Sequence, residues 1–207
     1  SSAPISDYLS DLPEAWRPIT LRHLLRHPSG LPDYTDAPGF FQTAAAAATP
    51  DELLASIQDR PLLFSPGARF RYSNTNYYLL GKLVAKVLGQ PFESFLAQHV
   101  FRRLGMRATR MDDLRDVIPH RVSGYHWLGP DAERMPAFVS GYHGFRDVLQ
   151  NAVAVSPSRK WAADGFITTL NDLLKWDPAR LLRPQTVRDM RTATKTAAGL
   201  APYGLGE

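Results

Sequence analysis

The sequence predicts a mainly α-helical fold with few short strands, and three stretches carry that expectation. Tyr78, Leu79, Leu83 and Val87 recur at helical spacing after Asn74, with the Lys82 and Lys86 stems along the edge of the same face. Thr49-Pro50-Asp51-Glu52 has the form of a helix start: Thr49 as N-cap, Pro50 as first helical residue and Glu52 as the reciprocal capping partner. Phe92, Phe95, Leu96, His99 and Val100 repeat at intervals of three and four, as a core helix does.

The remaining elements follow in chain order. Residues 1–17 read as extended and loop-rich, punctuated by Pro4 and Pro13, with Ile5, Tyr8, Leu9 and Leu12 as anchors. Thr20 caps a short helix over residues 21–27 that stops at Pro28, and Ser29-Gly30-Leu31-Pro32 is a turn. The alanine run 44–48 has high helix propensity. Leu53, Leu54 and Ile57 form the buried face of the helix begun at Thr49, which stops before Pro61. Pro66-Gly67 is a turn, and Phe70 and Tyr72 alternate with Arg69 and Arg71 as in a brief strand. Asn74 is the expected N-cap of the next helix and Gly89 its C-cap; Pro91 and Gly105 bound the one after.

Residues 111–120 read as a polar connection. Residues 121–161 are the least regular stretch; Tyr125, His126, Trp127, Phe138, Tyr142, His143 and Phe145 suit either a binding wall or a loop folded over the core. Thr168 or Thr169 opens a helix with Leu170, Leu173, Leu174 and Trp176 apolar, and Pro178 kinks or restarts it. Another helix starts at Pro184, and residues 203–207 read as the opening of a strand.

Composition narrows the chemistry. The chain has no cysteine, which excludes disulfides, thiolate metal sites and a cysteine nucleophile. Net charge is +4, but the arginines are scattered among carboxylates and no nucleic-acid motif accompanies them, so no nucleic-acid partner is expected. No apolar run is long enough to cross a bilayer. His23 and His27 have i, i+4 spacing, yet no HExxH glutamate and no third ligand accompany them. They read as capping and packing residues; neither metal nor cofactor is implied.

Tyr72 precedes a predicted helix N-terminus, where the backbone dipole favours negative charge. A phenol there is expected to ionise more easily, above all if lysines converge on it, and it can then serve as a general base. The plainer reading is that Tyr72 packs the helix start and Asn74 caps it.

Tyr72-Ser73-Asn74 within PGARFRYSNTNYYLLG resembles the Tyr-x-Asn region of the serine β-lactamase and penicillin-binding-protein-like family, class C type. That branch holds class C β-lactamases, D-alanyl-D-alanine carboxypeptidases and related esterases. ITLRHLLRHPSGLPDY, FESFLAQHVFRRLGM and GFITTLNDLLKWD resemble the same family in the same order. The resemblance implies a serine hydrolase acting through an acyl-enzyme on a small amide or ester. Tyr72 would be the general base or part of the proton relay, and Asn74 would hydrogen-bond the substrate amide and the motif lysine. Asp164-Gly165 departs from the paired glycines common in the family.

The family's nucleophile lies in a Ser-x-x-Lys motif, which puts the lysine one helical turn after the serine. None of Lys82, Lys86, Lys160, Lys175 or Lys195 has a serine three residues before it. Thr192-Ala193-Thr194-Lys195 has the spacing with threonine but lies too far downstream. No Gly-x-Ser-x-Gly elbow and no Lys- or His-[Ser/Thr]-Gly strand is present either. Residues 1–207 are therefore expected to be one helical region, the helical lobe of a β-lactamase-like domain, truncated at both ends and lacking most of the antiparallel sheet. Such a region alone is expected to be inactive, and its uncovered apolar face to favour self-association. The alternative is a non-enzymatic helical binding or scaffold module with a degenerate site. The resemblance fits a periplasmic or secreted protein, although the residues themselves fix no location.

Overall fold

The computed structural model describes residues 3–128, 148–152, 154–201 and 203–204. It is helix-rich with a few short strands, as the patterning predicts. The N-terminal prolines do more than punctuate. Pro4 and Pro13 each precede a 3-10 turn, Ile5–Asp7 and Glu14–Trp16. The Ile5 amide donates to the Ile19 carbonyl at 2.8 Å, and Ile5, Trp16 and Ile19 are fully buried. Trp16, rather than the exposed Tyr8, is the large anchor of this segment.

Helix α1 (Leu21–Arg26) starts at Thr20, as expected, with a histidine in the usual place of the capping glutamate. Thr20 Oγ1 accepts the His23 amide and His23 Nδ1 accepts the Thr20 amide, both at 3.2 Å. The helix stops where His27 turns left-handed, at φ 67°. Helix α2 (Pro50–Ala55) carries the predicted capping box, and Leu53, Leu54 and Ile57 are buried. The alanine run is not a helix. Ser156, Ser158 and Arg159 take its backbone groups: the Ser156 amide donates to the Ala44 carbonyl, Arg159 Nε to the Ala46 carbonyl, and Ser158 Oγ accepts the Ala48 amide. Tertiary bonds thus replace the helical ladder that propensity favours.

Helix α3 (Asn74–Leu88) is the central element and ends at Gly89, left-handed at φ 62°. Tyr78 and Leu79 join a core of Ile5, Trp16, Ile19, Leu24, Leu31, Tyr34, Leu53 and Ile57. Val87, predicted on that face, is more than half exposed. Helices α4 (Phe92–Leu96) and α5 (Arg102–Leu104) are joined by a π turn, Ala97–Phe101, and stop at Gly105, as expected. Their buried residues are Phe101 and Leu104, whereas the predicted core position His99 is exposed. Helix α6 (Pro157–Asp164), which begins inside the stretch expected to be irregular, crosses α3 at Gly81. A Cβ at that glycine would collide with the Ala162 methyl and the Trp161 ring. Trp161 itself has φ 29°.

Residues 70–72 form no strand. The strands among the described residues pair as three antiparallel two-stranded units. They are β1 (Arg110–Met111) with β4 (Phe166–Ile167), β2 (Tyr125–Leu128) with β3 (Val148–Asn151), and β5 (Thr194–Thr196) with β6 (Gly199–Ala201). Phe138, Tyr142, His143, Phe145 and residues 205–207 lie outside the described residues. Thr169 caps α7 (Leu170–Leu173), and Pro178 opens a 3-10 turn, so the chain restarts there as expected. The apolar residues of this region, however, point outward: Leu170 is 80% and Leu174 87% exposed. Helix α8 (Pro184–Arg191) begins at the predicted proline. Thr192 ends α8 while Lys195 lies in β5, so the two do not share a helical turn.

Candidate active site

The site is the junction between the turn after α1 and the start of α3. Ser73 is in the N-cap position of α3, and its side chain makes no capping bond. Asn74 is the first helical residue, not the cap that local sequence suggests. The cap comes from Asp33, in the turn that follows Ser29-Gly30-Leu31-Pro32. Asp33 Oδ2 accepts the Asn74 amide at 2.9 Å and the Asn74 side-chain amide at 2.8 Å, while Oδ1 accepts the Thr35 amide at 3.0 Å. One buried carboxylate therefore caps two elements, α3 and the 3-10 turn Tyr34–Asp36. It also meets the positive end of the α3 dipole, where an anion is favoured.

With its side-chain NH₂ held by Asp33, Asn74 turns its carbonyl oxygen to Tyr72. The Tyr72 hydroxyl donates to Asn74 Oδ1 at 3.3 Å. The structure thus brings the two sequence-predicted site residues together, and Tyr72 is 49% exposed. Its phenol is not easier to ionise, contrary to the expectation from the helix terminus. Burial raises its pKa, and Tyr203, Asp33 and Asp164 raise it further. Near these groups the phenol stays neutral at pH 7 unless a cation is brought to it.

A buried polar network lies beneath the tyrosine. Ser29 Oγ donates to Asn76 Oδ1 at 2.6 Å, and the Asn76 NH₂ meets His27 Nδ1 at 2.8 Å. The Ser73 amide donates to the same His27 nitrogen at 3.2 Å. Thr75 Oγ1 donates to the Pro32 carbonyl at 2.7 Å and accepts the Tyr34 amide at 3.1 Å. Of these, Ser29 was expected only to shape a turn, and Asp33 and Asn76 are not singled out by local sequence. Their one signal is type: small polar residues flanking Gly30 and a helix start, each needing a partner if buried.

The two histidines with metal-like spacing are engaged otherwise, His23 in the α1 cap and His27 under Tyr72. Among the described residues no group of three or more His, Asp or Glu side chains is arranged to hold a metal. No helix of the described residues is long and apolar enough to cross a membrane.

The beta-lactamase family model matches residues 1–206. The chain belongs to the beta-lactamase family. It is 31% identical over 156 residues to the putative penicillin-binding protein PbpX of Bacillus subtilis, covering 74% of this chain and 37% of that one. It is 32% identical over 98 residues to a putative D-alanyl-D-alanine carboxypeptidase of Escherichia coli, covering 46% of this chain and 22% of that one. Among solved structures, a D-stereospecific amidohydrolase from Streptomyces sp. superimposes with a TM-score of 0.77 at 27% identity, over 99% of this chain and 62% of that one. A D-amino acid amidase from Ochrobactrum anthropi gives 0.74 at 27% identity, over 91% and 53%. The chain therefore spans well under half the length of these curated beta-lactamase relatives.

Proposed function

We propose that the protein carrying these residues is a serine hydrolase of the class C type that works through an acyl-enzyme, with Tyr72 as proton relay and Asn74 as a substrate-binding residue. The observation that carries this reading is the Tyr72–Asn74 pair: a half-exposed phenol hydroxyl bonded to an amide that a buried aspartate fixes from below. Such a phenol, neutral at pH 7 and made still harder to ionise by burial, suits a relay that accepts one proton as it releases another. To act as a base outright it needs an adjacent cation, and the family's motif lysine would be that group. The Asn74 carbonyl would then accept from that ammonium and its side-chain NH₂ would meet the substrate carbonyl, in exchange for part of its bond to Asp33.

The serine and lysine of that motif do not occur at motif spacing in residues 1–207. We assign them to sequence outside these residues, so that residues 1–207 alone form no acyl-enzyme. The names of the relatives support an amide substrate, with β-lactam and D-amino-acid peptide as candidates, and the family resemblance adds an ester. The exposed Leu170, Leu174 and Trp176 support a further covering surface, whether sheet or second copy.

The test is Tyr72→Phe in the full-length protein. Turnover of its best amide or ester should fall ~10²–10⁴-fold, the usual loss for a proton-transfer group. Melting temperature should hardly move, because the ring and its packing remain. Parental turnover in Tyr72→Phe would remove Tyr72 from the chemistry.

A further inference from the structure

His27 was expected to be a packing residue, but its contacts are more specific than packing requires. It is fully buried, and its left-handed backbone ends α1. Its carbonyl accepts the Arg71 amide at 3.1 Å, and its Nδ1 accepts the Ser73 amide at 3.2 Å. These two amides flank Tyr72. The imidazole lies against the Tyr72 ring, with centroids 4.4 Å apart and planes 27° from parallel. Tyr203 closes the other approach edge-on, at 4.8 Å. One residue therefore grips the chain before Tyr72, the chain after it and the ring between.

We infer that His27 is the positioning residue for Tyr72, with Nδ1 as a fixed acceptor that holds the Tyr72-Ser73-Asn74 segment and a ring face that sets the phenol's tilt. Functionally, this rests on the reading of Tyr72 as a proton relay. The Ser73 amide can only donate, so Nδ1 carries no proton and Nε2 does. Asn76 reinforces that tautomer by presenting its NH₂ to the same nitrogen, and Ser29 in turn holds Asn76 in that orientation by donating to its oxygen. Donation in the chain Ser29–Asn76–His27–Ser73 thus converges on Nδ1, from a turn on one side and from the backbone beside Tyr72 on the other. A proton on Nδ1 would set two donors against a third and release the segment.

Asparagine and phenylalanine separate the two contributions. His27→Asn keeps an acceptor close to the position of Nδ1 and suits a left-handed backbone, but has no ring. His27→Phe keeps a flat ring and has no acceptor. In the full-length protein, kcat of His27→Asn should stay within ~10-fold of the parent, while that of His27→Phe should fall by at least ~10²-fold with KM nearly unchanged, as expected when only proton transfer is misaligned. If both variants lose kcat in step with melting temperature, His27 is structural and the inference fails.

A readout on the parent protein needs neither variant to fold. Long-range ¹H–¹⁵N correlation spectra at neutral pH should place the His27 proton on Nε2, and the Ser73 amide should exchange slowly with solvent. A proton on Nδ1, or a fast-exchanging Ser73 amide, overturns the inference. These spectra do not involve the phenol's chemistry, so they stand even if Tyr72→Phe proves fully active and the proposed relay is wrong.

Discussion

The start of α3 and the chain beyond Gly105 have different surroundings. At the start of α3, Ser29, Thr75 and Asn76 are fully buried polar residues with bonded partners, Asp33 and Ser73 are nearly so, and the fully buried His27 is bonded through Nδ1. Farther along the chain, from Arg110 to Asp116, charges meet at the surface: Arg110 with Asp116 and Arg115 with Asp113, both involving exposed side chains. Downstream of α6 the apolar residues of α7 are themselves in solvent. Buried polar networks hold a unique geometry because any rearrangement leaves a donor or acceptor unpaired. Surface ion pairs are each worth about 0–1 kcal/mol and specify little. The junction around Tyr72 is thus held by a network of several buried polar side chains, whereas in α7 one buried carboxylate, Asp172, takes the Ala108 amide, Thr109 and Lys175 while the apolar side chains lie in solvent.

The largest effect is expected where the junction's backbone is tightest. Gly30 has φ 78°, and a Cβ there would run into the Phe64 carbonyl. Gly30→Ala combines a left-handed alanine with displacement of residues 62–64, and should cost about 4 kcal/mol in denaturant unfolding. A loss under about 1 kcal/mol would mean that the junction yields more than its packing implies.

Next is the pH response of His27. Burial lowers its pKa to about 4 from the usual 6.5. Below pH 6.5 the unfolded chain takes up a proton that the folded chain refuses. The folded state therefore keeps its full stability above pH 6.5 and loses it as pH falls toward 4, by about 3 kcal/mol from this one group. Unfolding titrations of the parent and of His27→Asn should differ in slope across this window. Equal slopes would mean that His27 is not held neutral by burial.

Asp33→Ala is the third way to break the contrast. It leaves the Asn74 amide and side-chain NH₂ without their acceptor and should cost about 2 kcal/mol, the upper range for a lost helix cap. Activity should fall as well, because Asn74 is then free to turn away from Tyr72. If stability falls while turnover persists, Asp33 caps the helix without orienting Asn74.

Much of this structure is legible from local sequence, for a physical reason. The Thr49–Glu52 box, the left-handed Gly89 and Gly105, and the starts at Pro50 and Pro184 each depend on residues within one turn of each other. Tyr72 and Asn74, two residues apart, are likewise legible as a pair. What sets their geometry is not. The cap on Asn74 comes from a residue 41 positions away, and the acceptor for the Ser73 amide from one 46 away. The alanine run fails as a helix because Ser156, Ser158 and Arg159, more than a hundred residues on, claim its backbone groups. Helix α6 was hidden for the converse reason: its short amphipathic run sits among aromatic residues whose spacing has no single period.

The smallest effect is expected on the other side of the comparison. Leu170 is 80% exposed at the start of α7, whose first turn is capped by Thr169 accepting the Asp172 amide. Leu170→Ser removes apolar surface that the fold does not bury, so stability of residues 1–207 should change by less than about 0.5 kcal/mol. The same substitution in the full-length protein asks what covers this face. If a sheet from outside these residues packs on Leu170, the loss there should rise to about 2 kcal/mol, as for a buried leucine cut short. If a second copy covers it, the loss should depend on protein concentration, and light scattering should show a lower mass for the variant. A negligible change in both settings would make Leu170 a solvent-facing leucine and remove this face from the case for a covering surface.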